Sequence, residues 1–155
     1  MKLQENLKMV GELTIQVFNE NGDLKSATKV PNLVVTVGKN YIASRMVGTA
    51  STVMSHMAIG TGTSSPAIGD VNLGTEAYRS SITLTNPNGG NTIVSTATFG
   101  ATNGTGAITE AGIFNYGTYA ASPASGQFML CRTTFPAVNK AAGDSIAITW
   151  VVTVS

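Results

Sequence analysis

The sequence predicts a mainly β fold: an antiparallel β-sandwich or jelly-roll-like domain with one short helix. Three observations predict it. Apolar and polar residues alternate with period two over most of the chain, most plainly in Ser145–Val154, where Ile146, Ile148, Trp150, Val152 and Val154 share one face. Gly, Asn and Pro clusters interrupt the alternation at the spacing of a sandwich or barrel. Charged residues make up only 11% of the chain, against about 25% in an ordinary domain. Small polar residues take their place, and Thr suits a pleated surface as Gly suits turns. At 155 residues the chain has the size of one domain with one core.

The elements follow in order. Residues 1–9 are polar and of mixed charge, and they are expected to form an arm, loose or docked on a partner, ahead of a single β domain over 10–155. Gly11–Phe18 alternates as a strand, Asn21-Gly22 is a hairpin signal, and Leu24–Val30 returns. Pro31-Asn32 breaks the pairing, and Leu33–Val37 is a further extended, β-branched run. Gly38–Val47 predicts the helix, since Tyr41, Ile42, Arg45 and Met46 share a face and Gly48 supplies a stop. Met54–Ile59 is a short strand ending in Gly60-Thr61-Gly62, and a loop runs on to residue 75. Tyr78–Thr85 and Thr92–Phe99 flank the turn cluster Asn86–Asn91. Ala107–Phe114 follows the turn Asn103–Gly106. Residues 115–126 form a loop, Gln127–Phe135 is a strand that Pro136 is expected to end, and Lys140–Asp144 turns into the closing strand. Trp150, in the middle of the apolar face, is expected to be buried.

The same residues narrow the chemistry. A net charge of +1 offers no electrostatic footprint for nucleic acid and no polybasic patch for anionic lipid. Tyr41, Tyr78, Tyr116, Tyr119 and Trp150 do not interleave with basic runs, so core or interface packing is expected of them. No apolar run approaches the ~20 residues of a membrane span, and the opening MKLQENLKMV lacks the apolar stretch of a signal peptide. Synthesis in the cytoplasm is expected. Cys131 is the single cysteine, which leaves a small buried apolar residue and no disulfide or cysteine metal cluster. His56 is the single histidine, so no His pair for zinc and no Ser-His-Asp set can be assembled. Gly60-Thr61-Gly62 and Gly104-Thr105-Gly106 lack the Lys-Ser/Thr of a phosphate loop and the third glycine of a dinucleotide fingerprint, and are read as turns.

Among the carboxylates Glu5, Glu12, Glu20, Asp23, Asp70, Glu76, Glu110 and Asp144, no spacing selects a catalytic pair. Glu76 and Arg79 are placed for an ion pair or an intersubunit contact. Glu110 lies inside the apolar strand Ile108–Phe114 and must face outward or meet a cation, for which Arg132 and Arg79 are the candidates. No catalytic, cofactor-binding or metal-ligating residue is assigned, and no enzymatic activity is expected.

The order of motifs adds a resemblance. Asn32-Leu33-Val34-Val35 leads into Gly38-Lys39-Asn40-Tyr41-Ile42-Ala43. Met57-Ala58-Ile59-Gly60-Thr61-Gly62-Thr63 follows, then Pro66, Leu73, Glu76 and Arg79. Later come Ile108–Phe114, Phe135-Pro136, Lys140 and Ile148-Thr149-Trp150. From about residue 30 to the C-terminus this series resembles a broad group of small structural proteins of tailed bacteriophages, described as capsid decoration, tail or fibre proteins. The resemblance implies a β-rich virion component without catalysis, made in the host cytoplasm. It implies a homo-oligomer, with a trimer preferred, bound to the major capsid protein or other virion proteins. A capsid decoration (cement) protein is the first expectation, because a long fibre needs a shaft for which the chain has little room. A tail, baseplate or fibre-attachment protein is the alternative, and a carbohydrate-binding module a third. The composition agrees, since charges are depleted at interface cores.

Overall fold

The computed structural model describes residues 7–49 and 52–155. Most of the expected arm, residues 1–6, lies outside them, and its last residue, Met9, already opens the first strand. The described residues form two antiparallel five-stranded sheets facing each other as a β-sandwich. One sheet contains β1 (Met9–Phe18), β2 (Leu24–Pro31), β6 (Thr83–Thr85), β7 (Thr92–Phe99) and β10 (Ser145–Val154), in the order β2-β1-β10-β7-β6. The other contains β3 (Leu33–Val34), β4 (His56–Gly60), β5 (Glu76–Ser81), β8 (Gly106–Phe114) and β9 (Met129–Lys140), in the order β3-β9-β8-β4-β5. They are called here the first and second sheet.

Period two builds the core. Leu13, Ile15 and Val17 of β1, Phe99 of β7, and Ile146, Ile148, Trp150 and Val152 of β10 point from the first sheet. Met57, Ile59, Ile108, Ile113 and Phe135 meet them from the second. Trp150 is fully buried, and its indole N–H donates to Asn32 Oδ1 at 3.2 Å. Cys131 lies in the same core. The second sheet is buried on its other face as well, where Val35, Ala58, Leu73, Phe114, Tyr116 and Met129 form a separate cluster under the loops 61–75 and 115–128.

The structure departs from the expectations in four places. The run Leu33–Val37 is a strand for two residues only; α1 (Thr36–Met46) begins two residues before the expected Gly38. Val37 packs on the Val35–Phe114 cluster, and that burial overrides the β preference of its branched side chain. Gly48 follows the helix with φ +70°, its N–H bonded to Arg45 O, as expected of a stop. The Tyr78–Thr85 strand is divided: β5 belongs to one sheet, β6 to the other, and Ile82 crosses between them. The strand from Met54 begins only at His56. Pro136 does not end β9. The register passes from Ile108↔Val138 to Glu110↔Thr134, so Phe135, Pro136 and Ala137 bulge opposite Thr109, where no ladder N–H is required of the proline.

Each open side of the sandwich is therefore hemmed by one bent segment serving both sheets. Residues 24–34 supply β2 and β3, and residues 76–85 supply β5 and β6.

Candidate functional site

The outer face of the second sheet carries the densest polar chemistry in the molecule, and the sheet register explains it. Arg79, Ala58, Gly112 and Arg132 stand side by side on β5, β4, β8 and β9. The two middle residues are small, so guanidinium groups from the flanking strands can lie over the sheet. Arg79 covers the Phe114 ring at 3.8 Å and approaches Tyr116 at 4.6 Å. It also donates to Tyr116 O at 2.9 Å, and its Nε and Nη2 grip both oxygens of Glu76 at 2.9 and 2.7 Å. The expected Glu76–Arg79 pair is thus an internal ion pair.

Glu110 takes Arg132 as its cation, one of the two candidates. Arg132 Nε and Nη2 donate to Glu110 Oε2 at 3.1 and 2.8 Å. Its Nη1 donates to Asp70 at 2.6 Å, and Nη2 also reaches Ser64 O and Oγ at 3.1 and 3.2 Å. Three backbone N–H groups close on the same carboxylate: Gly62 at 2.9 Å, Gly74 at 2.9 Å and Thr75 at 2.7 Å. Burial alone pushes the Glu110 carboxyl up. The Thr75 and Gly74 N–H groups, Arg132 and the Gly62 N–H outweigh it and hold the group below its ordinary value.

Gly60-Thr61-Gly62 gains a reason beyond the expected turn. A Cβ at Gly60 would lie 2.7 Å from Glu110 Oε1, and one at Gly62 2.3 Å from it. These glycines let the chain pass over a buried carboxylate. Gly104 sits in a turn with φ +67°. No spacing in the sequence ties Asp70 or Ser64 to this cluster; they come from a loop whose closure only the fold reveals.

His56 Nδ1 lies 2.8 Å from Ser55 Oγ, and burial, with Arg79 adding to it, pushes the imidazole below its ordinary value. No carboxylate hydrogen-bonds the ring among the described residues, so Ser55 and His56 lack an orienting acid. Cys131 is fully buried, and burial pushes its thiol far up, away from the reactive thiolate. Chemically, the Glu110–Arg132 cluster is a clamp: its charges are consumed in fastening the loop 61–75 to the sheet.

The first sheet presents a different surface. Thr14, Thr149, Thr96 and Thr83 line up across β1, β10, β7 and β6 on its outer face. Gln16, Ala147 and Thr98 form the next row, and Val151, Val94 and Thr85 another. The last of these rows begins on β1 at Glu12, which stands in register with Val151 and pairs with Lys29 of β2 at 2.9 Å; from β10 to β6 the rows named here carry no charge.

Comparison with family models, curated proteins and solved structures finds no match to this chain.

Proposed function

We propose that the protein is a non-catalytic structural component of a bacteriophage virion, most specifically a decoration protein that binds the head shell as a homo-oligomer. The observation that carries this reading is the threonine-rich outer face of the first sheet, uncharged from β10 to β6. A solvent-facing sheet ordinarily interleaves charges of both signs, whereas the cores of protein interfaces are depleted of them. The resemblance supplies the particle, and the clamp on the other face supports the absence of catalysis because its charged groups are already engaged. Tail, baseplate or fibre attachment is the alternative within the same reading.

The test is addition of purified protein to expanded heads that lack it, followed by electron microscopy. Regular density on the shell is expected. Binding only to tails would move the protein to the alternative position, and binding to neither would overturn the particle reading. A carbohydrate-binding reading is favoured by one observation, the exposed Tyr78 and Tyr119 flanking a cleft of about 450 Å³. A glycan array checks it, and retention that disappears in Tyr119→Ala would support it.

A further inference from the structure

A groove of about 530 Å³ opens between α1 and the start of β1. Met9, Leu33, Val34, Ile42, Ala43 and Met46 make it apolar, and Leu7 and Met46 beside it are 75% and 82% exposed. Its volume is that of a binding site, and its side-chain polar groups without a partner among the described residues are donors. Asn32 Oδ1 is occupied by the Trp150 indole, which fixes the amide orientation. The Asn32 Nδ2 is consequently left buried and without a partner. Lys8 and Lys39 also line the groove, and neither has an ion-pair partner among the described residues.

The backbone adds a fourth feature. Lys8 exchanges both hydrogen bonds with Ser155, at 2.6 and 2.8 Å, so even-numbered residues of β1 bond toward β10 and odd-numbered ones toward β2. Gly11 O accepts from Asn32 N at 3.2 Å, and there the chain leaves for β3. Met9, the next odd residue, faces the groove side with a rung that no backbone group fills among the described residues.

We propose that this groove receives an extended segment of a partner chain, one carrying an acidic side chain between aliphatic ones. The segment pairs its backbone with Met9. It lays aliphatic side chains on Leu33, Ile42 and Met46, and its carboxylate meets Lys8 and Lys39. The open rung selects a polypeptide over a fatty acid of the same acid-and-aliphatic chemistry. The inference does not depend on the particle reading.

The test is selection of a yeast-displayed random heptapeptide library on the immobilised full-length protein, followed by fluorescence anisotropy of a labelled enriched peptide. Enriched sequences are expected to place an acidic residue beside aliphatic ones. Lys39→Glu and Ala43→Arg should each weaken the labelled peptide at least tenfold with unchanged thermal unfolding. Lys39 is exposed, so its variant keeps the test decisive if Ala43→Arg fails to fold. No enrichment, enrichment without acidic residues, or binding untouched by Lys39→Glu would overturn the proposal. So would enrichment only on a chain shortened to begin at Leu7, since residues 1–6 would then be the occupant. Stabilisation by sodium dodecanoate with no peptide enriched would assign the groove to a lipid-like amphiphile instead.

Discussion

Glu110 is the residue on which the second sheet's outer face depends. Its carboxylate is fully buried, bonded by Arg132 and three backbone N–H groups, and its pKa lies below the ordinary value. A carboxyl depressed in the folded state stabilises fully above its unfolded pKa, about 4.3, and loses that contribution as pH falls through the folded value. Thermal unfolding from pH 7 to pH 3 should therefore show a steep acid loss for the native chain. Glu110→Gln should be less stable at pH 7 and flatter with pH. Glu110→Ala, which strands a buried arginine, should lose about 3–5 kcal/mol in urea unfolding. Lys140 is the opposite case. It is 2% exposed, and its ammonium has no hydrogen-bond partner. Burial lowers its pKa although Asp144 opposes this; Lys25 and the Ala141 N–H already hold that carboxylate. Lys140→Met keeps the volume and removes the buried charge, so its melting temperature at pH 7 should rise by about 2–4 °C. The native chain should gain stability as pH climbs from the lowered pKa toward about 10.4, and the methionine variant should not. An unchanged or lower melting temperature would show that the amine is well solvated.

At the scale of elements, propensity and packing disagree most clearly in α1. Gly38 sits in the first turn of the helix, where Ala is the better helix former, by up to about 1 kcal/mol at interior positions. A Cβ there would stand 2.1 Å from Leu130 O on β9, a backbone atom that cannot swing aside. Gly38→Ala should therefore destabilise the protein by about 1–3 kcal/mol, measured by urea unfolding, against the sign that propensity alone predicts. The same contest explains which elements were legible beforehand. β1, β7 and β10 alternate because one face is core and the other is open; the bounds of β7 and β10 follow from the pattern, while β1 starts two residues before the expected Gly11. β8 and β9 are buried on both faces, and Glu110 and Arg132 interrupt their apolar runs with a pair whose purpose lies in a distant loop. The division at Ile82 was illegible, since alternation continues when a strand changes sheets. Pro136 misled because a bulge exempts it from the ladder.

For the whole molecule, the two faces of the sandwich differ in what they present. The second sheet is sealed under loops, and the first offers its threonine-rich rows outward. Charge and burial narrow the partner of Glu110 to Arg132 or Arg79, and the register chooses Arg132, whereas the rows of threonine require the register of four strands. A charge placed in the middle of those rows is the direct check. Thr149→Glu should leave thermal unfolding within about 2 °C of the native chain, because the side chain faces outward from a central strand. On the proposed assembly through this face, it should abolish self-association in sedimentation velocity and binding to heads. Retention of both would assign assembly to another face.

The position of β10 in the first sheet also bears on how the chain is made. Residues 145–154 are hydrogen-bonded to β1 on one side and β7 on the other. They emerge from the ribosome after every other strand described. Until then β1 with β2, and β6 with β7, are two separate ribbons sharing no rung, while all strands of the second sheet are complete by Lys140. At about 5–20 residues per second of synthesis, the apolar faces of those ribbons wait several seconds for the strand that joins them. Closure of the first sheet thus waits for its last-made strand, a non-local pairing between the earliest described strand and the latest, and a nascent chain stalled before Ser145 would expose the half-core that a holdase chaperone recognises.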